Sequence, residues 1–136
     1  MNITLKTEYA LRALQEIVNS GKGKPISRRI IADRQKISEH FLEKICLDLK
    51  KNNIVKSVMG PGGGFIVSKK LKDISLWDVY TSVESNDNWL SNCYPGNKND
   101  CDISEKCRVK DIWFVFNDKV RHIMKSLTLQ DIQIDE

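Results

Sequence analysis

The hydrophobic positions of this 136-residue chain change their spacing twice, from helical to strand-like and back. Between Thr7 and Ser20, Ala10, Ala13, Leu14, Ile17 and Val18 recur at helical intervals and predict a first helix, ended by Gly21 and Gly23. Pro25-Ile26-Ser27 opens a short second helix that runs to Gln35, with Ile30, Ile31 and Ala32 facing inward. Lys36-Ile37 makes a turn. Ser38 then caps a third helix with Phe41, Leu42, Ile45 and Leu49 on one stripe, because its hydroxyl can satisfy free backbone N–H groups. Lys50, Lys51, Asn52 and Asn53 end it, since cations suit the negative end and Asn tolerates a left-handed turn. Cys46, beside Ile45, reads as a small core residue.

The spacing then changes. Ile54 to Val58 is strand-like, Gly60-Pro61-Gly62-Gly63-Gly64 is a tight turn, and Phe65-Ile66-Val67 returns as a second strand. Ser75 opens another helix, expected to pack behind this hairpin and to end near Glu84. Residues 85–106, rich in Ser, Asn, Asp and Gly, carry little periodicity and read as a long loop, which in a compact domain is usually functional or disordered. From Val109 to about Leu127 the helical pattern resumes, and Trp113, Phe114 and Phe116 spread apolar surface around most of its circumference. Such a helix predicts a partner chain. The expected assembly is a two-fold homodimer with Trp113, Phe116, Val120, Ile123, Met124 and Leu127 in the seam.

Helix, turn, helix and glycine-tipped hairpin make a winged helix-turn-helix. The expected fold is therefore mainly α with a small β wing, plus a long C-terminal dimerisation helix. Residues 1–84 would form the DNA-binding domain, 85–108 a cysteine-containing loop, and 109–136 the dimerisation helix and tail.

Charge sharpens this picture. Residues 1–72 hold 15 Lys/Arg against 6 Asp/Glu, a balance of +9, whereas residues 73–136 hold 7 against 12, a balance of −5. A basic front half on an acidic rear half fits a double-stranded DNA reader joined to a separate sensing or dimerising part. No apolar run is long enough to cross a membrane, and MNITLKTEYA lacks the layout of a signal peptide, so a cytoplasmic location with no membrane partner is expected. Enzymatic function is not expected. The chain has no nucleophile elbow, phosphate loop or HExxH, and His40 and His122 lie far apart with no evident catalytic partner.

Early residues of a recognition helix reach base edges. Here those are Ser38, His40 and Glu43, where Ser and His can donate or accept and Glu can accept from a cytosine amine. Arg28, Arg29, Lys44, Lys56, Lys69 and Lys70 are candidates for phosphate contacts, with Gly62 and Gly63 at the wing tip.

Cys93, Cys101 and Cys107 are spaced C-x7-C-x5-C in the polar loop. In a reducing compartment such thiols bind metal or respond to oxidation, and the spacing alone leaves structural zinc, a redox disulfide, an iron–sulfur cluster and free thiols open.

The run from Ile37 to Lys44, IS-x-x-F-L-E-K, and SVMGPGGGF from Ser57 to Phe65 resemble the signature of the Rrf-two family of bacterial repressors. The resemblance extends from LKTEYALRAL, Leu5 to Leu14, through the three late cysteines to Ser126–Ile132. It implies a winged helix-turn-helix repressor that senses iron, redox state or nitric oxide through a [2Fe-2S] or [4Fe-4S] cluster on Cys93, Cys101 and Cys107. Two departures are visible. Met59 stands where the family has an arginine before the wing glycines, and the first cysteine gap is two residues longer than its common spacing. One branch of the family uses a histidine three residues after the last cysteine, here Lys110. Another uses a carboxylate of the first helix from the partner subunit, and the matching residue is Glu8. Glu8 is accordingly the expected fourth ligand, with Asp100, Asp102 and Glu105 as local competitors. The alternative within the fold is a clusterless regulator that answers to a small molecule, a partner protein or thiol oxidation.

Overall fold

A computed structural model describes residues 3–84 and 107–132. Five helices and one two-stranded sheet appear among them: α1 (Leu5–Asn19), α2 (Arg28–Gln35), α3 (Glu39–Lys51), β1 (Val55–Val58), β2 (Gly64–Val67), α4 (Leu76–Val83) and α5 (Val109–Ser126). Short 3₁₀ turns at Leu71–Asp73 and Leu129–Ile132 complete the path.

Side-chain caps start four of the helices. The hydroxyls of Thr4, Ser27 and Ser38 accept from the backbone N–H groups of Lys6, Ile30 and Phe41. Ser75 and Asp78 form a reciprocal capping box on α4. The turn between α2 and α3 passes through Lys36 in the left-handed conformation, with φ of 56°. This tight link sets the two helices of the reading motif against each other.

Among the described residues the core is one cluster. Ala10, Ala13, Leu14 and Ile17 of α1 meet Ile31, Leu42, Ile45, Leu49, Ile54 and Val79, all buried. Cys46 lies in it at 1% exposure, and burial pushes its thiol up to about 11 against a smaller opposing pull from the Arg28 guanidinium. It is a core residue, as its position beside Ile45 implies.

β1 and β2 pair antiparallel, with Val55 opposite Val67 and Val58 opposite Gly64. A backbone bridge between Ile26 and Phe65 fastens the hairpin to the start of α2.

Three expectations need correction. Ile30 points outward, 43% exposed, because a two-turn helix has one inward face and Ile31 and Ala32 already fill it. The helix after the wing packs against α1, α3 and α5 rather than behind the hairpin, since its buried residues Val79, Tyr80 and Val83 belong to the helical core. Met124 is buried within its own chain at 3% exposure, whereas its neighbour Ile123 is 61% exposed. Adjacent helical residues point about 100° apart, so Met124 serves this chain's interior and not an outer seam. The expected loop at 85–106 lies outside the described residues, as do Cys93, Cys101, Asp100, Asp102 and Glu105.

Candidate nucleic-acid interface and sensing residues

α3 spans about 20 Å, from 13 residues rising about 1.5 Å each. Leu42, Ile45, Cys46 and Leu49 anchor one face in the core. That fixes the opposite face outward, and Ser38, Glu39, His40, Glu43 and Lys44 are all exposed. Ser38 has a structural duty as well: its hydroxyl accepts from the Phe41 N–H at 3.2 Å. His40, exposed at the helix start, has no ion pair among the described residues.

Arg28 is not a free phosphate clamp. Its guanidinium lies 3.7 Å from Glu39 and 3.6 Å from Glu43, so it bridges α2 to the exposed face of α3. Arg28 and Glu43, two of the expected contacts, are therefore paired with each other. Arg29, Lys44, Lys56 and Lys69 are exposed and carry no ion pair among the described residues.

The wing glycines have backbone reasons to be glycine. Gly60 and Gly62 adopt φ of 93° and 73°, and Gly63 donates its N–H to Gly60 O at 2.9 Å in so tight a turn that a Cβ would overlap Val58 O. Gly62 is exposed and Gly63 half-buried; Met59 at the tip is 89% exposed.

A polar network supports the reading head from behind. Arg12 of α1 donates through Nε to Gln35 Oε1 at 3.0 Å and through Nη2 to the Gln35 carbonyl. Gln35 in turn donates to Glu16 at 2.7 Å, and Arg34 pairs with Glu16 at 3.3 Å. Arg12 also covers the Tyr9 ring, 5.0 Å from its centroid. The end of α2 is thereby held to α1.

Of the proposed metal ligands, two are described. Cys107 is a free, half-buried thiol two residues before α5. Glu8 is exposed in the first turn of α1 and has no ion-pair partner among the described residues. No group of three or more metal-binding side chains is found among the described residues.

A buried carboxylate beside this region gave no signal in the sequence. Glu84, 8% exposed at the end of α4, accepts from Thr4 N at 3.2 Å, from Thr7 Oγ1 at 2.8 Å and from Thr4 Oγ1. It ties the last residue before the cysteine segment to the first turn of α1, which carries Glu8. These contacts span about eighty positions, so no local pattern announces them.

α5 turns an apolar stripe outward. Val109, Ile112, Phe116, Ile123 and Leu127 are between 43% and 66% exposed, with Val120 half-buried on the same row. Trp113 packs edge-on against Phe116, ring centroids 5.9 Å apart. Asp118 pairs with Arg121 and His122 elsewhere on the helix. His122 thus has a local partner on its own helix.

A family model described as an iron-dependent transcriptional regulator, Rrf2, matches residues 3–135. The chain belongs to the Rrf2 family. Its members are transcriptional regulators rather than enzymes, and this chain is a DNA-binding regulator of that kind. It is 29% identical over 132 residues to the HTH-type transcriptional regulator IscR of Escherichia coli O1:K1, covering 97% of this chain and 80% of that protein. Among solved structures it is similar to CymR, the global cysteine regulator of B. subtilis, with TM-score 0.77, 24% identity and coverage of 97% and 95%. T. potens IscR superposes with TM-score 0.73 at 24% identity, covering all of this chain and 93% of the other. These two likenesses show the shared fold: a mostly helical chain with a two-stranded wing. Among the described residues no helix is long and apolar enough to cross a membrane.

Proposed function

We propose that this chain is a homodimeric repressor whose grip on double-stranded DNA is set by an iron–sulfur cluster held on Cys93, Cys101 and Cys107, with the partner subunit's Glu8 as fourth ligand. The observation that carries this reading is the position of Cys107, a free thiol at the foot of the helix whose apolar stripe faces out of the chain. A dimer joined along that stripe has this thiol at the root of its seam. Membership of a family described as iron-dependent and identity to IscR support the cluster. The donor set suits it: thiolates favour iron, and an exposed, unpaired carboxylate is available to complete the ligation. A bound cluster would supply a group whose charge and ligation respond to oxidation, nitric oxide or iron supply.

The chain's own residues supply the rest. Glu8 projects from α1, and α1 packs on α2, α3 and β2, so a change of hold on Glu8 bears on the whole reading head. α3 presents Ser38, His40 and Glu43 to base edges in a major groove, Glu43 only after exchanging Arg28 for a base. Arg29, Lys44, Lys56 and Lys69 take phosphates, with Gly62 and Gly63 bringing the wing backbone close, and Arg28 joins them once released from its acids. Lys110, where one branch of the family has a histidine, offers no imidazole to a cluster, which favours an oxygen donor elsewhere.

The alternative, a clusterless regulator answering to a small molecule, a partner protein or thiol oxidation, draws on the likeness to CymR and on the same free thiol. Anaerobic purification with an absorption spectrum and iron and sulfide counts separates the two. Brown protein with matched iron and sulfide, and a spectrum altered in Glu8→Ala, is the expected result. Colourless protein that cannot be reconstituted with iron and sulfide would leave only the alternative.

A further inference from the structure

A cleft of about 930 Å³ lies between the end of α1, the turn that follows it and the outgoing end of β2. Its volume falls within the roughly 300–1,000 Å³ typical of small-molecule sites. Phosphate contacts account for Lys69 and Lys70 but not for the apolar floor beside them. Val18, Val67 and Leu71 line it and are only half-buried, so an apolar floor is left partly open to water. Lys22, Lys69 and Lys70 stand exposed around that floor, and among the described residues no acidic one lines the cleft. Among the described residues none of these three lysines has an ion-pair partner. Arg28 and Arg34 nearby are matched, by Glu39 and Glu43 and by Glu16, whereas the cleft gathers three unmatched cations beside an apolar floor.

We propose that this cleft binds a small amphipathic organic anion, its apolar body on Val18, Val67 and Leu71 and its carboxylate among Lys22, Lys69 and Lys70. A DNA phosphate could satisfy the lysines but has no apolar body to cover the floor, so the pairing of the two surfaces selects an organic acid. Three lysines grouped around one cleft hold an anion better than an isolated surface lysine does. The cleft also joins α1 to the wing, and it takes Lys69, which the duplex uses. An occupant therefore competes with DNA. That consequence rests on the DNA-binding reading above; binding of the anion itself does not.

The test uses the full chain with isotope-labelled Ile, Leu and Val methyl groups, titrated with 1-naphthaleneacetate and with its neutral amide, 1-naphthaleneacetamide. The expected result is a saturable shift of the Val18, Val67 and Leu71 methyl signals, with the acid bound about tenfold tighter than the amide. Lys22→Ala should remove most of that preference and leave amide binding unchanged. Val18→Asp should abolish binding of both. Equal affinity for acid and amide, or shifts confined to the methyls of α5, or no saturable shift at all, would overturn the proposal. A parallel titration of a fluorescent duplex, with and without saturating acid, reads the competition. A chain that takes up the acid at these methyls but binds no duplex would uphold the cleft and overturn the DNA reading instead.

Discussion

The wing is held by single atoms that are missing. At Gly64 the backbone adopts φ of 153°, and a Cβ there would overlap the carbonyl of Ile26, the residue whose bridge to Phe65 fastens the hairpin to α2. Gly64→Ala is therefore expected to cost more than the roughly 1 kcal/mol of an ordinary backbone mismatch. It should also loosen the wing, read as a fall in urea midpoint together with faster amide exchange at Ile26 and Phe65. Cys46 gives a second prediction at this scale. Burial holds its thiol at about 11 against an ordinary value near 9, so the folded chain keeps a proton that the unfolded chain releases between those values. This stability is fully present below about pH 9 and is lost as pH rises toward 11, on the order of 2–3 kcal/mol in all. Cys46→Val should flatten that decline in urea titrations at pH 8, 9.5 and 11. In the folded, cluster-free chain iodoacetamide should label Cys107 and spare Cys46, because Cys46 is buried out of reach.

Between elements, the contacts that matter most are those that sequence periodicity does not report. Glu84 joins α4 to α1 by accepting from Thr4 and Thr7. Glu84→Ala leaves those donors buried without an acceptor, which costs about 1–3 kcal/mol. It should also free the first turn of α1, seen as faster amide exchange from Thr4 to Glu8; Glu84→Gln, which keeps one acceptor oxygen, should restore much of both. The helices themselves were legible because each carries a full stripe, a cap and a stop: Ser38 with Leu42, Ile45 and Leu49 behind it places α3 within one residue at either end. The glycine run between two β-branched segments likewise gave the wing. Ile30 was misplaced because two turns of helix carry too few apolar positions to define a direction. Met124 and Ile123 show a related limit: both lie on an apolar helix, and only the packed chain decides which one belongs to its own core. The Arg28 bridge to Glu39 and Glu43 was hidden for another reason, since charges on separate helices meet only once the turn at Lys36 has set the helices' angle.

At the scale of the whole molecule, α5 contributes little to its own chain's interior. Asn117 and Met124 are its only buried residues, while Val109, Ile112, Phe116, Ile123 and Leu127 follow one another along the outside at steps of three, four or seven residues. That is the spacing of a helix packed along a second helix, and an isolated chain would leave the stripe in water at a cost that rises by about 25 cal/mol for each Å² exposed. The homodimer reading therefore makes a sharp distinction between neighbours. Ile123→Asp places a charge in the seam and nothing in the core, so it should yield a monomer by sedimentation with unchanged far-ultraviolet circular dichroism. Met124→Asp places the charge in the core instead and should lower the unfolding midpoint of the chain itself. Because paired half-sites bind as one bivalent unit, the Ile123→Asp monomer should lose at least about 10²-fold in affinity for a palindromic duplex. On a single half-site it should bind as the wild-type head does, because α3 lies elsewhere on the molecule. A folded Ile123→Asp chain that remained dimeric would move the seam away from α5, and with it the argument that brings the partner subunit's Glu8 to Cys107.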